Sequence, residues 1–438
     1  MLIAITFFFL LCIGLLSYFC VAKFGLMRSL PFLLVALWHV LKAPFYLVYP
    51  FVSDELFPQI SMDAEEVFYL FGIKLLLLTC VFIGYFLVFK LKRAKKNNAG
   101  IYRKSFMLLT LGLGLILFAG YVYGIGGLGV IWNDMANRGE NIRGYVYLLN
   151  LLWIIFGFGV VLSINTIRLS MQLFIVFMVA IITFLAFGSR SLGLGYFIIW
   201  FFASIFLNRH APINLISIRK VPIYLLGLFV FIATPLLRTP DAIKTYLLDF
   251  RQFFNDAFAN YTELLSRLAV PDIELLVLRH FDATNFWGGS SFFDLRYFFC
   301  PISVCLDKPP LDDGVYLYNI SLNGAVALGT PVSQLQVSSL PFETWSIGFA
   351  NFGLWGVVAG GVIQGMLLAF FYNMTQSRNS ANRVVGAYSM GLVALGFFHL
   401  SNLYFSLFFF PVLLSWLGIR FYYKLFPMHV ASNKNYTQ

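Results

Sequence analysis

The feature that most constrains this chain is a recurrence. Stretches of about twenty apolar residues, the length at which a helix crosses a hydrocarbon core about 30 Å thick, return along the whole sequence. They fall near residues 2–22, 31–52, 66–89, 105–124, 144–165, 170–187, 192–207, 221–237, 344–374, 384–400 and 403–421. Taken at that length they predict about 11 transmembrane helices. Composition removes the soluble alternative: 438 residues that are 60% hydrophobic and only 11% charged carry more apolar surface than one soluble core can hide. The chain therefore reads as an all-α polytopic membrane protein. The first window has no charged n-region and no small-residue cleavage site, which marks an anchor and not a removable signal peptide.

Charge then sets an orientation. The basic run from Lys90 to Lys96, continued by Arg103 and Lys104, belongs in the cytoplasm. Alternation from that point places Lys23, Arg28, Arg168, Arg209, Arg219, Lys220, Arg378, Arg383, Arg420, Lys424 and Lys434 on the same side. All 19 carboxylates fall on the other, in the loops 53–66, 125–143 and 238–343. The N terminus is thus expected outside and the C terminus inside, and the net charge of +11 reflects asymmetry across a membrane, with no call for nucleic acid. Residues 1–237 hold eight expected spans, 238–343 a large outer loop with amphipathic helices, and 344–438 three spans and a cytoplasmic tail.

Chemistry-bearing residues crowd the outer side. Arg190 lies in the turn GSRS between two apolar windows, where an arginine left in hydrocarbon would cost at least ~3 kcal/mol. An outer-face arginine that snorkels to headgroups is the plain alternative. The long loop opens on Tyr246, Leu247, Phe250, Phe254, Phe258, Tyr261, Leu264, Leu265 and Leu268, spaced as an amphipathic helix. Within it Glu263 and Arg267 have the spacing of an ordinary surface ion pair. Arg279 and His280 follow, then the glycine turn WGGSS at 287–291, the segment CPISVCLDKPP at 300–310, and Glu343 before the next window. Each has a dull explanation. Glu343 could complement a helix N-terminal dipole, His280 could be a surface residue, Asp307 and Lys308 could be turn chemistry, and Cys300 and Cys305 could be disulfide-bonded or free.

Cys12, Cys20 and Cys80 sit in spans and read as packing. Lys42 with His39, and Lys74, are titratable groups in spans and so candidates by default, although Lys74 can snorkel outward. Gly356, Gly360, Gly361 and Gly365 have the small-residue spacing that lets helices approach. There is no DxD triplet, Cys/His ligand spacing, phosphate loop or nucleophile elbow.

The order of these parts resembles a family. GSRS in a tight outer turn, a long outer loop with SRL at 266–268, GGSS at 288–291 and DKP at 307–309, then ETWSIGFANFGLWGVVAGGVIQG from Glu343 to Gly365, is similar to the bacterial O-antigen polymerases of the Wzy type. The resemblance extends from YGIGGLGVIWNDMANR at 123–138 through the glycine-rich helix; CPISV departs from the prolines and arginine expected before KP.

It implies a GT-C-like glycosyltransferase of a Gram-negative inner membrane, acting at the periplasmic face on undecaprenyl-pyrophosphate-linked oligosaccharide. Membrane lipids and a chain-length regulator are its implied partners, and nothing requires a cofactor or metal. Such a reaction needs arginines to hold a diphosphate bidentately and a base for the acceptor hydroxyl. Glu343 and His280 are the candidate bases, with Arg190, Arg267 and Arg279 as catalytic cations and Arg138, Arg143, Arg251, Arg296 and Lys308 lining the substrate.

Three other classes compete. A ligase of similar architecture would differ only in its acceptor, the lipid A core. A flippase or transporter would show inverted repeats, interrupted helices and midplane charges. A metal-dependent lipid-linked transferase would use Asp54, Glu55, Asp63, Glu65 and Glu66.

Overall fold

A computed structural model describes residues 1–48, 63–89, 104–130, 146–164, 166–187, 190–207, 271–298, 307–336, 342–377, 379–401 and 409–425, together with 249, 251–253, 255–256, 300, 305 and 339–340. The described elements are helical, with no strand among them. In chain order they are α1 (Leu2–Phe24), α2 (Leu26–Lys42), α3 (Phe45–Val48), α4 (Ala64–Val88), α5 (Lys104–Gly124), α6 (Val146–Ser163), α7 (Leu169–Phe187) and α8 (Arg190–Leu207). After these come α9 (Pro271–His280), α10 (Asp313–Asn323), α11 (Thr344–Thr375), α12 (Ser380–Ala394) and α13 (Phe410–Leu425), with 3-10 turns at Ser290–Tyr297 and Val332–Gln334.

Among the described residues six apolar helices, Leu2–Phe24, Leu26–Leu47, Ala64–Val88, Lys104–Gly124, Leu169–Ala186 and Thr344–Thr375, are long enough to cross a membrane. Three shorter ones lie at Leu148–Ser163, Leu192–Leu207 and Val412–Phe421. The molecule is therefore a helical, multi-pass membrane protein. The window at 221–237 and most of the amphipathic helix expected from Tyr246 lie outside the described residues.

The chain divides into two compact units. Unit 1 comprises Met1–Phe89, Ile232–Phe370 and Gly396–Leu407. In it α1 packs on α2 and α4, and α9 lies against α4. Asp63 caps α4 by accepting from the amide of Glu65, and Tyr85 near its far end donates to the carbonyl of Arg28, 2.7 Å away, which ties α4 to the start of α2.

Unit 2 comprises Lys90–Phe231, Phe371–Leu395 and Phe408–Gln438. Its centre is α8, packed on α6, α7 and α12. Gly391 of α12 meets the backbone of Ile199, and Gly157 of α6 meets the ring of Tyr388. Large side chains fill that interior, with Trp153, Tyr196 and Tyr388 all fully buried.

Two windows fold differently from expectation. Residues 344–374 read as one uninterrupted span, but Phe352 (φ −141°, ψ 19°) and Gly353 (φ 60°, ψ −143°) leave the helical conformation. The backbone of Gly353 suits only a residue without Cβ. The chain reverses there. Gly348 and Gly356 then meet backbone to backbone, and Thr344 lies against Gly360, pairs that a straight helix would hold about 12 and 24 Å apart. Residues 344–351 therefore form a short arm folded back on the helix that follows. The glycines divide between two neighbours: Gly356 and Gly360 face the arm, while Gly361 and Gly365 face Leu77, Cys80, Val81 and Tyr85 of α4.

The other departure is at 384–400. Its helix stops at Ala394, and Gly396 at φ 75° turns the chain so that residues 396–401 run as an irregular segment, with Gly396 against the ring of Trp38.

Candidate functional site

Five stretches of unit 1 converge on one buried cluster of charge. The first is the end of α2, where His39 and Lys42 stand three apart and share a helix face. The second is α4, which contributes Lys74, with 1% of its side chain exposed. A lysine there does not snorkel. Its Nζ lies 2.6 Å from Oε2 of Glu274, donates to the hydroxyl of Tyr46 at 3.1 Å, and sits 5.1 Å from the centre of that ring. Tyr46, on α3, is itself fully buried. Pro44 ends the preceding helix and lets the chain turn so that α3 presents this ring.

Glu274 is supplied by α9, the third stretch, whose buried face holds Ile273, Leu275 and Val277. At the other end of α9 the guanidinium of Arg279 grips Glu66 of α4 with two bonds, Nε to Oε1 at 2.8 Å and Nη2 to Oε2 at 2.6 Å. Two ion pairs thus fasten this loop helix onto α4, one sealed and one partly exposed.

The fourth stretch is the folded-back arm, with Glu343 at the end away from its turn. Lys42 donates to Oε1 of Glu343, while Oε2 is buried and has no hydrogen-bond partner. The capping work at this helix start is done by another residue: the Ser346 hydroxyl accepts from the Glu343 amide at 2.8 Å. The carboxylate of Glu343 is therefore spent on Lys42 and not on its own helix.

The fifth stretch, 396–401, brings His399. It is fixed on both sides, since Gln364 donates to the carbonyl of Phe398 at 2.6 Å and the Leu400 amide donates to the Thr344 hydroxyl at 3.2 Å. Glu343 lies within electrostatic reach of Lys42, Lys74, His39 and His399, and Glu274 within reach of Glu343 and Lys42. Trp345 is fully buried beside them with its indole N–H toward the Glu274 carboxylate, and Nδ1 of His39 is buried without a hydrogen-bond partner. Buried ions cost several kcal/mol each unless well paired, so the gathering of two lysines and two glutamates here makes this the candidate site.

The glycine turn WGGSS serves the arm. Amides of Trp287 and Gly288 donate to the carbonyls of Ala350 and Asn351, each at 2.9 Å, closing the C-terminal end of the short helix. The Asn351 side chain accepts from the Gly289 amide at 3.1 Å and exchanges bonds with the hydroxyl of Ser291. The arm that carries Glu343 is thereby anchored to the loop.

The other expected site residues lie as follows. His280 is half-buried, its ring edge-on to Phe281, and burial lowers its basicity although Asp282 partly opposes this. A largely neutral imidazole at pH 7 retains the capacity to accept a proton. Arg279 is committed to Glu66, as described above. Arg251 is exposed at a helix start, where the Asp249 side chain accepts from its amide at 3.0 Å, and Arg296 is exposed over the ring of Tyr297. Lys308 points inward: its ammonium donates to the carbonyl of Cys300 at 2.7 Å, burial lowers its basicity, and it braces the segment closed by the Cys300–Cys305 disulfide.

Arg138, Arg143 and Arg267 lie outside the described residues. Arg190 begins α8 in unit 2, and residues 188 and 189 before it lie outside the described residues. Tyr121 donates to the carbonyl of Ala186 at 2.8 Å, and Trp153 to that of Leu192 at 3.0 Å.

Among the described residues no group of three His, Cys, Asp or Glu side chains is placed to hold a metal ion. Of the first outer acids, Asp63 caps α4 and Glu66 holds Arg279. Sequence reasoning singled out Glu343, Lys42, His39 and Lys74 but passed over Glu274, His399, Tyr46 and Trp345. Glu274 had one usable signal, an acid flanked by the apolar Ile273, Leu275 and Leu276 on a helix-forming stretch.

Comparison with protein-family models, with curated proteins and with solved structures finds no match.

Proposed function

We propose that the chain is a lipid-linked oligosaccharide transferase of the O-antigen polymerase type, acting at the outer face of a bacterial inner membrane. It would move a growing glycan from undecaprenyl pyrophosphate onto a hydroxyl of the next lipid-linked repeat unit. One observation carries this reading: the Glu343 carboxylate is held in the protein interior with one oxygen on an ammonium and the other without a partner. A carboxylate so placed is oriented by Lys42 and has a free lone pair for the acceptor's proton. The order of motifs along the chain and the crowding of acids in the outer loops support the same reading.

A second reading gains from a specific observation. A broken helix beside a buried lysine, two buried glutamates and a buried histidine is also what a transporter uses to bind its cargo. Deleting the gene and resolving the lipopolysaccharide on a gel separates them. The polymerase reading expects the ladder to vanish while core carrying one repeat unit remains. Bare core with repeat units trapped inside the cell would establish the transporter, and bare core without trapping the ligase.

A further inference from the structure

The two ion pairs of the cluster are built unequally. Lys74 and Glu274 are sealed, with 1% and 7% of their side chains exposed, whereas Lys42 and Glu343 retain 16% and 10%. Lys42 stands at the last position of α2, on a flexible four-carbon stem, and can swing without disturbing a helix. Its carboxylate partner is incompletely satisfied. A purely structural tie does not need these features, because apolar side chains of similar volume often replace a buried ion pair at no cost in stability. What fits them is an ammonium whose present anion is a stand-in.

Resting on the transferase reading above, we propose that Lys42 binds the diphosphate of the lipid-linked donor, and that Glu343 is an internal counter-ion which this anion displaces. While the pair is closed, the ammonium beside it makes Glu343 a weak base. Arrival of the diphosphate takes Lys42 and leaves Glu343 free in a low-dielectric interior, where its affinity for a proton rises. The transfer then balances. The acceptor hydroxyl gives its proton to Glu343 as its oxygen bonds the anomeric carbon of the donor sugar. The bond from that carbon to the diphosphate oxygen breaks, and its electron pair leaves with the diphosphate, neutralised in part by Lys42. Base activation is thereby tied to donor binding, and an empty site stays inert.

Binding of inorganic pyrophosphate and of farnesyl diphosphate to the full-length protein in nanodiscs tests this, with thermal stability followed in parallel. Glu343→Gln removes the competing anion and should tighten binding about tenfold or more. Lys42→Gln combined with Glu343→Gln leaves neither charge stranded and should bind at least tenfold more weakly than Glu343→Gln alone. Tightening seen with both probes means the site reads the free anion. Tightening confined to farnesyl diphosphate means it requires the lipid. Both outcomes support the proposal. It is overturned if Glu343→Gln binds neither probe more tightly than wild type, or if the double variant binds as tightly as Glu343→Gln. The two failures are distinguishable, since anion exchange at Lys42 in a protein that never elongates a glycan would overturn only the transferase reading.

Discussion

Glu343 shows how little a residue's position in the sequence says about its work. Before an apolar helix it has the appearance of a dipole complement, yet the cap falls to Ser346 and the carboxylate to Lys42. The unequal sealing of the two ion pairs gives a graded expectation. Glu274→Leu strands a lysine with 1% exposure and should cost about 3–5 kcal/mol. Glu343→Leu strands a lysine that still touches water and should cost clearly less. In both cases removing the partner as well, with Lys74→Met or Lys42→Met, should recover most of the loss. Thermal unfolding of the four variants checks this, and equal penalties at the two pairs would contradict the difference in burial. At Arg190 the expectation concerns function alone. A planar guanidinium binds diphosphate with two parallel bonds that an ammonium cannot make, so Arg190→Ala and Arg190→Lys should both shorten or abolish polymer at normal protein levels. Full-length polymer from Arg190→Lys would reduce it to a generic positive charge.

The decisive element is the folded-back arm of α11. It places Glu343 about 15 Å from the turn at Gly353, among α2, α4 and α9. Gly348→Val would push a branched side chain into the carbonyl of Gly356, and Gly353→Ala would force Cβ into a conformation reserved for glycine. Either should abolish activity and lower thermal stability, whereas Gly72→Ala, which meets nothing within 4 Å, should do neither. Wild-type activity from Gly348→Val would mean the arm need not fold back.

This element also marks the boundary of what the sequence makes legible. The positions of the helices follow from apolar length, because a bilayer allows few other solutions. The reversal at Phe352 and Gly353 leaves no such trace, since one glycine among six between 348 and 365 carries no mark of its special conformation. For the same reason Lys74 and Glu343 were separately visible as titratable groups at apolar windows, while Glu274, one acid of many in a long loop, becomes visible only when α9 is laid on α4.

For the whole molecule the charge asymmetry makes a map. A reporter active only outside the cytoplasm should work when fused after Gly289 and fail after Asn98 or Asn379, and activity at Asn98 would invert the topology. The central claim is that the interior Glu343 site performs glycan transfer, and it is tested most directly by elongation of purified lipid-linked repeat units with wild type, Glu343→Gln and His280→Gln of confirmed fold. An amide cannot take the hydroxyl's proton, and loss of a general base slows a reaction ~100-fold or more. Wild type should therefore build polymer, His280→Gln should retain most of that rate, and Glu343→Gln should lose it at least ~100-fold. Elongation by Glu343→Gln at near the wild-type rate, with His280→Gln inactive, would contradict the account and transfer the base's role to the imidazole.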